Sequence, residues 1–305
     1  MEVANVCNGM RLDRYLSLRF ADRSRSFFAR AINNNLVCDE RDEPMTPSRR
    51  VRGGQRLRVY ISGIAPSSPP PAFPPILHLD EAVLVVNKPA GMLCHPTGTR
   101  FEWALVSLAK MRFRDDEIDL VHRIDRDTSG VVVLTRRQGA NRTLKQQMKL
   151  GQMYKEYEAI VRGRVMWDAR TISLPIGPAN GAIRIQMAVR DDGRPSRTEV
   201  RVLERKPQLT RVQCVLHSGR THQIRVHLAH AGHPILGDRL YGVPESVFIR
   251  HIEGGSLEEV VKATGAERQA LHHRCVRFPH PVSAHEIEVD APRPSEFEGW
   301  WRSRD

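Results

Sequence analysis

Residues 120–135 read Leu120-Val121-His122-Arg123-Ile124-Asp125-Arg126-Asp127-Thr128-Ser129-Gly130-Val131-Val132-Val133-Leu134-Thr135. Two apolar runs flank a polar turn. The second run, 130–135, is rich in β-branched valine, which suits a buried strand. The first, Leu120-Val121, leads as a short strand into His122-Arg123-Ile124-Asp125. Between them, Arg126-Asp127-Thr128-Ser129 has turn chemistry. The pattern predicts that Asp125 sits at a strand end, where a rigid scaffold presents a side chain. An Asp in a turn also commonly bonds its own backbone, so the segment alone leaves its role open.

Working outward, further strands are predicted over 82–86, 155–161, 198–203 and 211–216. Helices are predicted over 141–150, 224–231 and 257–263. The last has Ser256 and Glu259 in capping-box spacing and Gly265 just past its end. Strands and helices mixed without a repeating βαβ order indicate an α+β fold, with a mixed, mainly antiparallel sheet. Neither Gly53-Gly54 nor Gly254-Gly255 lies between a strand and a helix as a nucleotide-binding loop requires.

The stretch 62–75, Ser-Gly-Ile-Ala-Pro-Ser-Ser-Pro-Pro-Pro-Ala-Phe-Pro-Pro, is too proline-rich for a helix or a central strand. It divides the chain into a module of residues 1–62, a linker of 63–76 and a larger domain of 77–305. In the first module, Leu12, Tyr15, Leu16 and Phe20 recur at helical spacing, and Ser24 is placed to cap a second helix carrying Phe27, Phe28 and Ile32. Arg23, Arg25 and Arg30 fall on its exposed face. Short strands follow at 36–38 and 57–61.

The chain has 305 residues, of which 40% are hydrophobic and 27% charged, as in a globular protein. No apolar run approaches the roughly 20 residues that span a bilayer, and the first residues lack a basic-then-apolar signal, so no membrane role is expected. The five cysteines are scattered with no C-x-x-C pair, which argues against a disulfide framework or a cysteine zinc site and for a cytoplasmic setting. Lys plus Arg number 47 against 35 Asp plus Glu, a net charge of +12. That excess favours polyanionic partners, nucleic acid first.

Four segments, taken together, resemble the RluA-type RNA pseudouridine synthases. The first is His122-Arg123-Ile124-Asp125-x-x-Thr128-Ser129-Gly130, where that family usually has Leu in place of Ile124. The others are Val86-Asn87-Lys88-Pro89-Ala90-Gly91 with Pro96 following, Lys155-Glu156-Tyr157-Glu158-Ala159, and Gly219-Arg220-Thr221-His222-Gln223-Ile224-Arg225-Val226-His227-Leu228. Leu271-His272 with Phe278-x-His280-Pro281 is a looser match. Residues 9–61 are similar to the small α/β RNA-binding domain of ribosomal protein S-four, through Arg11-Leu12-Asp13, Ser24-Arg25-Ser26 and the Gly54-Gln55-x-Leu57-x-Val59 close.

The resemblance implies an isomerase that detaches uracil from ribose, turns it and rejoins it through carbon five. That reaction transfers no electrons and no phosphate, so no cofactor is expected. Asp125 would act as an ionised carboxylate, Arg225 would pair with it, and Tyr157 would pack on the uracil. Arg123 would help extrude the target base. His122, Thr128, Lys88, Arg220, His222 and Gln223 would contact substrate, and Arg11, Arg23, Arg25 and Arg30 would bind RNA from the N-terminal module. The partner would be ribosomal or transfer RNA, ribosomal favoured, and the protein a monomer.

Three other readings compete. Asp125 with Asp127 fits a two-acid glycosidase poorly, since that chemistry needs separated carboxylates on opposite faces of a sugar; Asp127 is expected to cap its own turn. His217, His222, His227, His230 and His233 raise a metal-dependent hydrolase, but His222 and His227 are not at helical i, i+4 spacing. The third is a catalytically inert RNA-binding or ribosome-assembly factor.

Overall fold

The computed structural model describes residues 1–20, 23–60, 71–95, 104–113 and 115–303. Ile61, most of the proline-rich linker and Pro96 lie outside the described residues. The N-terminal residues form α1 (Leu12–Arg19), α2 (Arg25–Asn33) and the antiparallel pair β1 (Val37–Asp39) and β2 (Leu57–Val59). Ser24 caps α2 by accepting the Phe27 amide at 3.2 Å. Leu12, Tyr15, Leu16 and Phe20 meet Phe28, Ile32, Val37 and Leu57 in a core of their own, as their spacing predicts.

The rest is built on one large sheet. Its strands are β3 (Ile76–Leu79), β4 (Val83–Lys88), β5 (Asp119–Leu120), β6 (Ser129–Thr135), β7 (Tyr154–Arg162), β8 (Ala169–Ser173), β11 (Arg197–Arg205), β12 (Leu209–Leu216), β13 (Leu271–Pro279) and β14 (Glu286–Asp290). β9 (Ile176–Pro178) and β10 (Met187–Val189) form a separate hairpin. The main path runs β3-β4-β6-β13-β7-β12-β11-β8, with β5 paired to β6 and β14 to β13. The pairing of β6 with β13 is parallel and the other pairings are antiparallel. Helices α3 (Leu105–Arg112), α4 (Gln138–Lys149), α5 (Gln223–His230), α6 (Glu245–Ile252), α7 (Leu257–Thr264) and α8 (Ser295–Arg302) complete it. β3 begins one residue inside the predicted linker, and Phe73, Phe113 and Ile76 pack on the sheet core.

The valine run of β6 is apolar at every position because both its faces are covered. Val132 and Leu134 enter one core, with Val86 and Ile224; Val131 and Val133 enter another, with Leu144 and Phe278. Gly130 lets β13 come alongside. Its φ is +113°, and a Cβ there would lie 2.1 Å from the His273 carbonyl oxygen.

Asp125 is not at a strand end. β5 stops at Leu120, and Asp125 opens a turn in which the Thr128 amide donates to its carbonyl at 3.2 Å. The strand is shorter than predicted because Val121 keeps a single bond to Val133 and the His122 side chain takes over the next position of the ladder.

Candidate active site

The turn carrying Asp125 is held at every carbonyl. The Cys94 thiol approaches Ile124 O at 3.4 Å, Thr128 N binds Asp125 O, Gly91 N and Lys88 Nζ bind Arg126 O at 2.9 and 3.0 Å, and Arg268 Nη1 binds Asp127 O at 3.1 Å. Side chains lock its end, through Gln269 Nε2 to Thr128 Oγ1 at 2.7 Å and Ser129 Oγ with His272 Nδ1 at 3.0 Å. The family segment around Lys88 therefore serves this turn. Lys88 is fully buried and also donates to Pro89 O and Met92 O, and burial lowers its ammonium to about 8. It was expected to contact substrate, yet its three protons are spent on carbonyls.

Arg225 brings the centre together. Its Nη1 donates to Asp125 Oδ2 at 2.9 Å, while Nε and Nη2 grip both oxygens of Asp238 at 2.7 and 2.9 Å. Asp238 is buried and its Oδ1 accepts the amides of Leu240 and Tyr241 as well. The Tyr241 ring lies under the guanidinium, 5.0 Å from centroid to carbon. Burial alone would raise the Asp125 carboxyl, but the Arg225 charge and hydrogen bonds from Arg225 and Gln269 outweigh it, and the group is held below the usual carboxylate value. Its side chain keeps 29% of its surface open. The result is an ionised carboxylate with one oxygen fixed and one side accessible.

Tyr157 projects from β7 next to this carboxylate. Burial, then the Asp125 charge, push its phenol well above the ordinary value, so it stays protonated. One ring face is already occupied by His273, stacked at 4.2 Å and 9°. The His273 ring gives its Nδ1 proton to Val131 O at 2.6 Å, and its Nε2 has no partner. A uracil packing on Tyr157 must therefore use the other face.

The remaining sequence-predicted residues divide sharply. Arg123 is exposed beside Asp125. His222 stands with Nε2 3.9 Å from Asp125 Oδ2. His122 turns away, since its Nε2 accepts the Val133 amide at 3.2 Å and its ring abuts His273, and burial lowers it to about 3. Gln223 is spent as well. Its oxygen accepts Ser218 Oγ and Arg220 N, and its amide donates to Arg197 O and Thr198 Oγ1. Thr128 is buried under Gln269, and Arg220 donates to Pro195 O. His122, Gln223, Lys88 and Thr128 thus position the site instead of reaching out of it.

Two expectations about charge change. Asp127 does not cap its own turn; its carboxylate faces Arg239 at 3.7 Å. Three histidines of the 217–233 cluster have separate partners, with His227 between Thr198 Oγ1 and Leu174 O, His217 on Glu199 and His233 on Arg162 O. Sequence reasoning missed Asp238, Tyr241, Arg268 and Gln269. Only Asp238 carried a signal, as a lone acid in the apolar stretch Pro234-Ile235-Leu236-Gly237-Asp238, and nothing in spacing tied it to Arg225.

The comparisons agree with this geometry. The RNA pseudouridylate synthase family profile matches residues 82–230. A ribosomal large subunit pseudouridine synthase D of Neisseria meningitidis is 37% identical over 303 residues, covering 95% of this chain and 77% of the relative. One from Xanthomonas campestris is 35% identical, covering 97% and 89%. The solved structure of human RNA pseudouridylate synthase domain containing 1 aligns with a TM-score of 0.58 at 26% identity, over 74% of this chain and 87% of that one. With Arg225 bonded to Asp125 and Tyr157 close enough to feel that carboxylate's charge, the chain belongs to the RluA-type RNA pseudouridine synthases, isomerases that act on RNA.

Proposed function

We propose that this protein converts uridines of ribosomal RNA to pseudouridine, with Asp125 starting the reaction as a carboxylate. The carrying observation is the Arg225 guanidinium shared between Asp125 and the buried Asp238. It keeps Asp125 ionised and fixes its rotamer without closing it off. The carboxylate attacks the anomeric carbon or removes the adjacent ribose proton. Either way the bond from that carbon to uracil N1 breaks and its electron pair goes to the ring. Uracil turns against Tyr157 and C5 bonds to the anomeric carbon, which as it does so releases the Asp125 oxygen or, on the other route, has the ribose proton returned by Asp125; the C5 proton then leaves and N1 takes one up, so the product is an isomer of the substrate.

The ribosomal substrate is favoured by the relatives, ribosomal large subunit pseudouridine synthases whose similarity extends over 95% and 97% of this chain. In this reading residues 1–62 are an RNA-binding module, 63–76 the connection and 77–305 the catalytic domain, and Arg11, Arg23, Arg25 and Arg30 hold RNA phosphates. The protein works as a monomer in the cytoplasm, a setting that suits five free, buried cysteines.

Mapping pseudouridines in cells with the protein, without it, and with Asp125→Ala tests this. One or more ribosomal positions should lose pseudouridine in both altered strains. Loss only from transfer RNA moves the substrate. Unchanged pseudouridine in both strains overturns the reading and leaves an inert binding factor.

A further inference from the structure

His222 is the first feature the proposed chemistry leaves unexplained. It begins α5 with φ 56° and ψ 21°, a left-handed backbone that costs a non-glycine residue free energy. Strain of that kind persists where the surroundings enforce it. His222, just before the helix, and Arg225, in its first turn, both face Asp125.

The second feature is what holds its ring. Tyr241 Oη lies 2.8 Å from His222 Nδ1, and the Met187 amide donates to the same Tyr241 oxygen at 3.0 Å. Tyr241 is buried, so its phenolic hydrogen needs an acceptor, and Nδ1 is the one within reach. Nδ1 then accepts and the imidazole proton resides on Nε2. Burial and the neighbouring Arg225 pull the ring down to about 4, so at neutral pH it carries a single proton. Nε2 lies 3.9 Å from Asp125 Oδ2, which is too far for a direct hydrogen bond. Among the described residues, this donor is fixed in place with no acceptor, beside the carboxylate that acts at the anomeric carbon.

We propose that His222 is a further catalytic residue whose Nε2–H donates to the O2 carbonyl of the departing uracil, and that Tyr241 is the positioning residue that fixes its tautomer. The inference rests on the function proposed above. When the bond from the anomeric carbon to N1 breaks, the pair left on N1 is shared with O2, the carbonyl nearest that carbon. A preorganised neutral donor stabilises charge as it develops there without neutralising Asp125. Asp238 joins the two parts, since it grips Arg225 and the Tyr241 amide together.

The test is single-turnover conversion of a stem-loop RNA bearing the mapped target as uridine or as 2-thiouridine, whose sulfur is a poor acceptor. Wild type should lose roughly tenfold in rate with sulfur, the worth of one hydrogen bond. His222→Ala should be slowed about a hundredfold on uridine and be insensitive to sulfur. Tyr241→Phe, which keeps the ring under Arg225, should lower turnover with KM little changed and shrink the sulfur penalty. An equal sulfur penalty in wild type and His222→Ala overturns the inference while leaving the isomerase intact. So does a penalty that vanishes on a 2′-deoxy target instead, which would put the donor on the ribose. If the mapping yields no target, the function beneath falls and this inference falls with it.

Discussion

Two buried aspartates aim arginines in this protein, and they do it with opposite outcomes. At the active site, Asp238 and Asp125 share Arg225, so one cation serves two carboxylates and the cluster carries a net −1. In the N-terminal module, Asp13 is shared by Arg11 and Arg25, both at 3.0 Å, so two cations serve one carboxylate and the cluster carries a net +1. Asp238 is wholly covered and Arg225 nearly so, whereas Arg11 and Arg25 keep 43% and 54% of their side chains open. Chemistry on a ribose needs one charge fixed and sheltered from competing water. Holding an RNA backbone needs positive charge that is oriented yet available.

Removing the reacting charge should have the largest effect. Asp125→Asn keeps the shape and should cost more than about a thousandfold in single-turnover rate. Binding of the same RNA should stay within a few-fold, because the other cluster is untouched.

Breaking the pair behind it comes next. Asp238→Ala leaves the Arg225 guanidinium buried against one carboxylate, and denaturant unfolding should show a loss of about 3–5 kcal/mol. Arg225→Met separates charge from shape. Asp125 is held below its ordinary value by Arg225 against burial, so its ionised form, and the stability it contributes, is present above pH ~4 and lost as pH falls through the lowered value. Wild type should therefore show no acid limb from Asp125 between pH 5 and 8 on this account. In Arg225→Met burial is opposed only by His222 and the Gln269 hydrogen bond, and the limb should move up in pH. An unmoved limb would mean that Arg225 does not set the charge state.

Lys88→Met is a smaller, structural test. It removes one donor from each of three carbonyls, of which Arg126 O keeps the Gly91 amide, and should lower stability by about 2 kcal/mol, with KM for RNA unchanged. A raised KM with normal stability would return Lys88 to the substrate. The smallest effect is expected at the outer cluster. Arg25→Ala should weaken RNA binding modestly and reduce the salt slope by about one, with the rate at saturation unaltered.

The fold class and the central carboxylate were legible because they depend on short-range patterns. A valine run between turns reads as a buried strand, and Ser24 and Ser256 cap the helices their positions indicate. His222, Arg225 and Tyr157 were found through motifs, not spacing. Asp238, Tyr241 and Gln269 were not found, because their importance comes from meeting residues up to 141 positions away, at Thr128. Motif membership also does not say which side chains are tied to the protein's own backbone. Lys88, His122 and Gln223 belong to the motifs because they hold backbone, and a sequence cannot tell a hand that reaches out from one that braces.

The place of β13 in the sheet bears on how the protein is made. Residues 271–279 are synthesised well after β6 and β7, yet they lie between those two strands in the middle of the sheet. Until they emerge, the nascent chain holds two half-sheets with unpaired inner edges, a template for association with other chains. Both half-sheets must therefore wait, unjoined, on a strand that follows them, and a product cut short near residue 265 would lack the seam although it keeps Asp125, Tyr157 and Arg225. Such a fragment should accumulate as aggregate or be degraded, and demand on chaperones should rise sharply with truncations on the N-terminal side of residue 271.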